Sequence, residues 1–203
     1  IVVLNTGGMM DTLWFKDNEK IDASLLAWQG GIEGGLAMAD VLCGDVCPSG
    51  HLTDTFAVNF AAYPSSDTFN ESEDYVEYNE DIFVGYRYFE TIPGAAEKVV
   101  YPFGYGLSFT EFAYEGLQTE VLEDAVKVKF TVTNIGKIAG DEVVQLYVHK
   151  ESSRVKQPIV QLKAFDRMKN LQPGESREVE FVVKKDTLRY FDVISRSLIL
   201  EEG

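Results

Sequence analysis

What most limits the folds open to this chain is a change of hydrophobic rhythm near residue 112. Beyond it, Val126, Val128, Phe130 and Val132 alternate with polar residues, and Val144, Leu146 and Val148 repeat the pattern. Val179, Phe181 and Val183 repeat it once more. A period of two is that of a strand with one face in a core and one in water. The turn formers Asn134-Ile135-Gly136 and Pro173-Gly174 separate these runs. Short strands of this kind over about ninety residues, with no cysteine pair among them, predict a fibronectin type III or immunoglobulin-like β-sandwich. Such a sandwich is a common scaffold and argues for no function by itself.

Before residue 112 the rhythm is mixed. Val2, Val3 and Leu4 read as a short strand that runs into the loop Asn5-Thr6-Gly7-Gly8. Residues 21–28 are apolar on both faces, as in a strand covered on both sides of a parallel sheet. The glycine-dense turn Gly30-Gly31-Ile32-Glu33-Gly34-Gly35 follows, then an apolar helix over 36–43 that Gly44 can end in the left-handed conformation. Pro48-Ser49-Gly50 is a turn signal, and 52–56 reads as another strand. Strand, turn, helix, turn, strand is the order of an α/β layer. Over 63–81 the pattern dissolves into a surface loop, with seven acids and no basic residue between Asp67 and Asp81. Within it Asn70-Glu71-Ser72 is a glycosylation sequon, relevant only to a secreted eukaryotic protein.

Charge is divided as unevenly as pattern. Residues 1–110 hold 4 Lys and Arg against 17 Asp and Glu (−13), whereas 111–203 hold 14 against 16 (−2). So acidic a surface repels nucleic acid and anionic lipid, and neither is expected as a partner. No apolar run approaches the roughly 18 residues of a membrane span. The first residues, Ile1-Val2-Val3-Leu4, have neither the basic start nor the cleavage site of a signal peptide. They read as a strand entered without lead-in.

Metal and cofactor chemistry find few candidates. Cys43, Cys47, His51 and His149 are the only cysteines and histidines, and their spacing is not that of a zinc site. Cys43 and Cys47 are expected as buried free thiols. The acidic loop lacks the spacing and the glycine of an EF-hand. Neither Gly30-Gly31-Ile32-Glu33-Gly34-Gly35 nor Gly104-Tyr105-Gly106 fits G-x-G-x-x-G, and no Gly-Lys-Ser/Thr follows, so no nucleotide cofactor is expected. A serine elbow is missing too. In parallel α/β sheets ligands bind beyond the carboxyl ends of the strands. That makes Glu33 a candidate for lining a pocket. The exposed amides at the start of the following helix stabilise a carboxylate there, which favours an anchor over a proton donor. Asp11 and Asp54 read as turn or strand-end residues.

Several segments carry a resemblance. Val2-Val3-Leu4-Asn5-Thr6-Gly7 with Trp14, Trp28-Gln29-Gly30-Gly31-Ile32-Glu33-Gly34-Gly35 with Ala39-Asp40-Val41-Leu42, and Gly44-Asp45-Val46-Cys47-Pro48-Ser49-Gly50-His51-Leu52 resemble segments of family 3 glycoside hydrolases in the family's order. So do Ile82-Phe83-Val84-Gly85-Tyr86-Arg87-Tyr88-Phe89 and Pro102-Phe103-Gly104-Tyr105-Gly106-Leu107-Ser108-Phe109-Thr110. Later, Val132-Thr133-Asn134-Ile135-Gly136, Ala139-Gly140-Asp141-Glu142-Val143-Val144-Gln145-Leu146-Tyr147 and Leu171-Gln172-Pro173-Gly174-Glu175-Ser176 are similar to its fibronectin-type domain. Small departures are Ile32 for glutamine, Cys47 for asparagine, and Thr53 and Ala57 for prolines.

The resemblance implies the end of an α/β sandwich over 1–111 and a fibronectin type III-like domain over 112–203 that lacks its last strand. The implied enzyme is a retaining exo-β-glycosidase of the β-glucosidase type without a cofactor. Its nucleophile is an aspartate of an N-terminal (β/α)8 barrel, and its acid/base is a glutamate from an upstream stretch of the sandwich. Neither stretch has a counterpart here, so no catalytic residue carries over and the chain alone is expected to be inactive. Its partners would be the upstream part of the enzyme and, through the barrel, a β-linked glycoside. The alternative is a non-catalytic carbohydrate-binding or scaffolding module in which Trp14, Trp28, Tyr86 and Tyr88 stack on sugar rings. Their apolar surroundings favour core positions instead.

Overall fold

The computed structural model describes residues 1–201. They form two compact units: one comprises Ile1–Val46 and Gly50–Gly106, the other Cys47–Ser49 and the chain from Leu107 onward. The first is an incomplete α/β layer and the second an all-β sandwich.

In the first unit β1 (Val2–Leu4) and β2 (Ser24–Leu26) pair in parallel, Val2 with Ser24 and Leu4 with Leu26. The short helix α1 (Leu13–Lys16) lies between them in the chain, and α2 (Gly34–Cys43) follows β2. Gly44 ends α2 at φ +84°, its amide donating back to Asp40 and Val41, as the sequence predicts. Burial departs from expectation. Val3 is exposed, Leu25 and Leu26 are half-buried, and no residue of α2 is buried, because no other described strand joins β1 and β2. The strand over 21–28 is shorter than expected: Trp28 turns to φ +53°, and the ladder stops before it.

A second small sheet pairs β3 (Phe56–Ala57) with β4 (Val99–Tyr101) in antiparallel fashion. The expected strand over 52–56 thus contributes only Phe56. The backbone of Leu52 is taken by the turn after β4, its N–H donating to the Tyr105 carbonyl at 2.8 Å and its carbonyl accepting from Gly104 at 2.7 Å. Beside this sheet α3 (Tyr86–Thr91) buries Phe89 against Ala57, Ala62 and Ala95. Tyr63 sits edge-on to Phe89, with 5.6 Å between ring centroids, and its hydroxyl accepts from Ala57 N–H and donates to the Thr55 carbonyl, both at 3.0 Å. Burial raises the Tyr63 pKa. Residues 64–85 carry neither helix nor strand, in keeping with the loop read from the acidic run.

In the second unit β5 (Phe112–Val121), β6 (Ala125–Asn134) and β9 (Ser176–Lys184) form one antiparallel sheet, and β7 (Gly140–His149) pairs with β8 (Val160–Leu171) in another. Val128, Phe130, Val132, Val144, Met168, Leu171 and Val179, drawn from both sheets, make one core. The alternation along β6 is the one predicted. On its other face Lys129 lies 3.1 Å from Glu178 and 3.0 Å from Glu180. Exposed pairs of this kind add little stability. They do make the sheet's outer surface unattractive to another sheet. A hairpin of β10 (Tyr190–Asp192) and β11 (Ser197–Ile199) follows. The cysteines are free thiols, but neither is buried as expected: Cys43 is exposed at the end of the uncovered α2, and Cys47, beyond it, is half-buried.

Asn134, fully buried at the end of β6, holds the sandwich's corner. Its side-chain oxygen accepts from the Thr110 hydroxyl at 2.7 Å and from Gly136 N–H at 3.0 Å. Its amide nitrogen donates to the carbonyls of Ile138 and Leu171, each at 2.8 Å. Its backbone N–H and carbonyl pair with Glu175 and Gly174. Near the end of the described chain the Glu201 carboxylate accepts from Lys150 at 2.8 Å, Arg154 Nε at 3.1 Å and the Tyr190 hydroxyl at 3.0 Å. These bonds, the one from Lys150 foremost, hold its pKa well below the usual carboxylate range.

Two outcomes follow for stability. Asn134→Ala leaves several buried groups without partners and is expected to cost roughly 2–4 kcal/mol in a urea titration. A carboxylate whose folded pKa is depressed contributes stability above its ordinary value, and that contribution is lost as pH falls. Thermal melts should therefore place Glu201→Gln below the parent at neutral pH, with the gap closing as pH drops below about 4.5.

Candidate functional site

At the carboxyl end of the parallel pair the loops after β1 and β2 meet. The Gln29 side chain lies against Gly7 so closely that a Cβ there would stand 2.9 Å from its Nε2. Trp28, half-buried at φ +53°, is a bulky residue in a conformation that costs of order 1–3 kcal/mol. Glu33 stands exposed at the N-cap of α2, and its side chain makes no capping hydrogen bond. The anchoring role expected of it is thus not filled by a cap. Asp11 behaves as a turn residue, its carboxylate accepting from Leu13 N–H at 2.9 Å as α1 begins.

Asp54 does more than end a strand. It borders a shallow cleft of about 270 Å³ lined by residues 53–55, 84–87 and Phe103. Residues 53–55 lead into β3, residues 84–87 enter α3, and Phe103 follows β4, so the small sheet and its helix bring three distant segments together. Gly85 makes the entry possible. Its φ of +54° with ψ of −131° belongs to a region that side chains avoid. Tyr86 rests against Phe103 with centroids 4.9 Å apart, and the Arg87 guanidinium sits 6.0 Å over the Tyr86 ring. Arg87 is one of four cations in residues 1–110, and it forms no ion pair among the described residues. Thr55 is 2% exposed, and its hydroxyl has no hydrogen-bond partner among the described residues.

A larger hollow near Arg154 and Glu201 is less suited to a ligand, because its charges already satisfy one another. Among the described residues no group of three or more His, Cys, Asp or Glu is placed to hold a metal, and no helix is long and apolar enough to cross a membrane. The four aromatic residues considered as sugar platforms are dispersed. Trp14 is half-exposed on α1, Trp28 lies two residues beyond β2, and Tyr88 packs on Phe89 at 5.2 Å. Only Tyr86 of the four lines the cleft. Sequence reasoning named Asp54 but not its neighbour Arg87. The available signal was a lone arginine in an acidic half, set within the Gly85-Tyr86-Arg87-Tyr88 motif.

The pattern of the Glycosyl hydrolase family 3 C-terminal domain matches residues 1–109, and that of the Fibronectin type III-like domain matches 142–203. The chain belongs to glycosyl hydrolase family 3. It is 48% identical to Beta-glucosidase A of Butyrivibrio fibrisolvens over 222 residues, covering 100% of this chain and 27% of that protein. It is 38% identical to Thermostable beta-glucosidase B of Acetivibrio thermocellus, covering 100% and 26%. Among solved structures, Beta-glucosidase from Kluyveromyces marxianus in complex with glucose superposes with a TM-score of 0.91 at 37% identity, over 100% of this chain and 24% of that one. The chain thus spans about a quarter of the length of these relatives.

The backbone at the cleft offers a direct check. Gly85→Ala forces a side chain into the disfavoured conformation and should cost roughly 1–3 kcal/mol in chemical denaturation.

Proposed function

We propose that this chain is the C-terminal segment of a retaining exo-β-glycosidase of the β-glucosidase type, acting on O-glycosidic bonds of β-glucosides or related oligosaccharides. Residues 1–111 form the end of its α/β sandwich and 112–203 its fibronectin type III-like domain. The reading is carried by relatives named β-glucosidases that match the whole of this chain with about a quarter of their own length. The upstream part of such an enzyme is the chain's partner. The uncovered faces of β1, β2 and α2 are consistent with that.

The chemistry needs two carboxyl groups facing one glycosidic bond, roughly 5–5.5 Å apart in a retaining enzyme. The cleft offers one, Asp54, with Arg87 rather than a second acid among the residues lining it. Glu33, at the carboxyl end of β2, is a position for lining a pocket rather than for donating a proton. Nucleophile and acid/base therefore come from outside these 203 residues, and the segment alone does not hydrolyse glycosides. Incubating the purified chain with an aryl β-glucoside should give no turnover above a buffer blank. Turnover that disappears in Asp54→Asn would overturn this assignment and place a catalytic group in this segment.

A further inference from the structure

We propose that the cleft between Asp54 and Arg87 binds a single sugar ring. The lining of the cleft excludes several classes of ligand. An anion would meet the Asp54 carboxylate and the −13 excess of residues 1–110. A cation would meet Arg87. A wholly apolar ligand would strip water from both charges and return no hydrogen bond, a costly exchange. What suits a fixed acceptor and a fixed donor, neither paired with a countercharge, is a neutral ligand rich in hydroxyls. Each hydroxyl can donate to a carboxylate and accept from a guanidinium.

The rest of the lining fits the same chemistry. Tyr86, half-buried and braced by Phe103 at 4.9 Å, supplies an aromatic surface for the C–H face of a ring. Thr55, 2% exposed, carries a hydroxyl with no partner among the described residues, an uncommon state for a buried polar group and one that a nearby ligand or water relieves. At about 270 Å³ the cleft lies just under the 300–1,000 Å³ range of drug-sized pockets, which suits one ring rather than a chain of them. Gly85 holds this wall in a conformation alanine resists, so the cleft is built into the backbone and does not depend on side-chain rotamers alone. The ligand class follows from the cleft itself. The glycosidase reading enters only in the choice of glucose as the probe.

The test is a titration of the isotope-labelled 203-residue chain with glucose, followed by amide resonances, with inorganic phosphate as the anionic control. Glucose should give saturable shifts centred on Asp54, Thr55 and Gly85 to Arg87, and phosphate none there. Asp54→Asn, an exposed and isosteric change, should weaken glucose binding roughly tenfold through loss of a charge-assisted bond. Arg87→Lys should weaken it while leaving the spectrum folded. A flat glucose titration, shifts gathered elsewhere, stronger binding of phosphate, or undiminished binding in Asp54→Asn would each overturn the proposal. If Arg87→Lys loses its fold, Asp54→Asn decides alone. The outcome is separable from hydrolysis: sugar binding without turnover is expected. A flat titration leaves the enzyme assignment standing, and turnover by the chain alone leaves the cleft standing.

Discussion

The β-sandwich depends on one side chain that has every reason to be elsewhere. Asn134 is fully buried, and a buried amide is costly unless each of its polar atoms is paired. Here both ends are satisfied. The oxygen holds Thr110 and Gly136, and the nitrogen holds Ile138 and Leu171. The consequence is geometric as much as energetic. The segment before β5, the β6–β7 connection and the end of β8 are fixed to one point, while the Asn134 backbone ties in the turn before β9. The apolar core from Val128 to Val179 supplies most of the driving force, but apolar contacts have no direction. The Asn134 bonds decide which turns meet.

The first unit relies on a different device. One buried cluster of this unit centres on Phe89 and three alanines, and around β3 the Tyr63 hydroxyl adds directed bonds to the burial of Phe56 and Ala57. That hydroxyl bridges Ala57 and Thr55 and so stiffens the backbone that carries Asp54. On the facing side Gly85 and Phe103 fix the approach of Tyr86 and Arg87. A cleft framed by a rigid backbone on one wall and a glycine-dependent turn on the other has little freedom to collapse.

How much of this was legible in the sequence varied with the kind of signal. The strands β6, β7 and β9 were plain because one face of each meets a core and the other meets water, which writes period two directly into the residues. Gly44 was plain because a helix end in the left-handed conformation selects glycine. The strand over 52–56 misled, since its apolar residues are real but the Leu52 backbone is claimed by the turn at Gly104 and Tyr105. The left-handed turn at Trp28 has no sequence signature, as a bulky aromatic is the last residue expected there. The cleft was half legible. Asp54 stood out as a carboxylate, but its sharing a cleft with Arg87 is a tertiary fact, joining segments some thirty residues apart that no periodicity links.

The uncovered α2 has a consequence for how the chain behaves in bulk. A helix made of Leu36, Met38, Val41 and Leu42, with none of them buried, is adhesive toward any similar surface. The same unit carries the large negative excess, so like-charge repulsion keeps copies apart over distances near the Debye length, about 8–10 Å in physiological salt. Stickiness and repulsion are thus set against each other on one half of the molecule. Their balance shifts with ionic strength. Added salt removes the repulsion and leaves the contact.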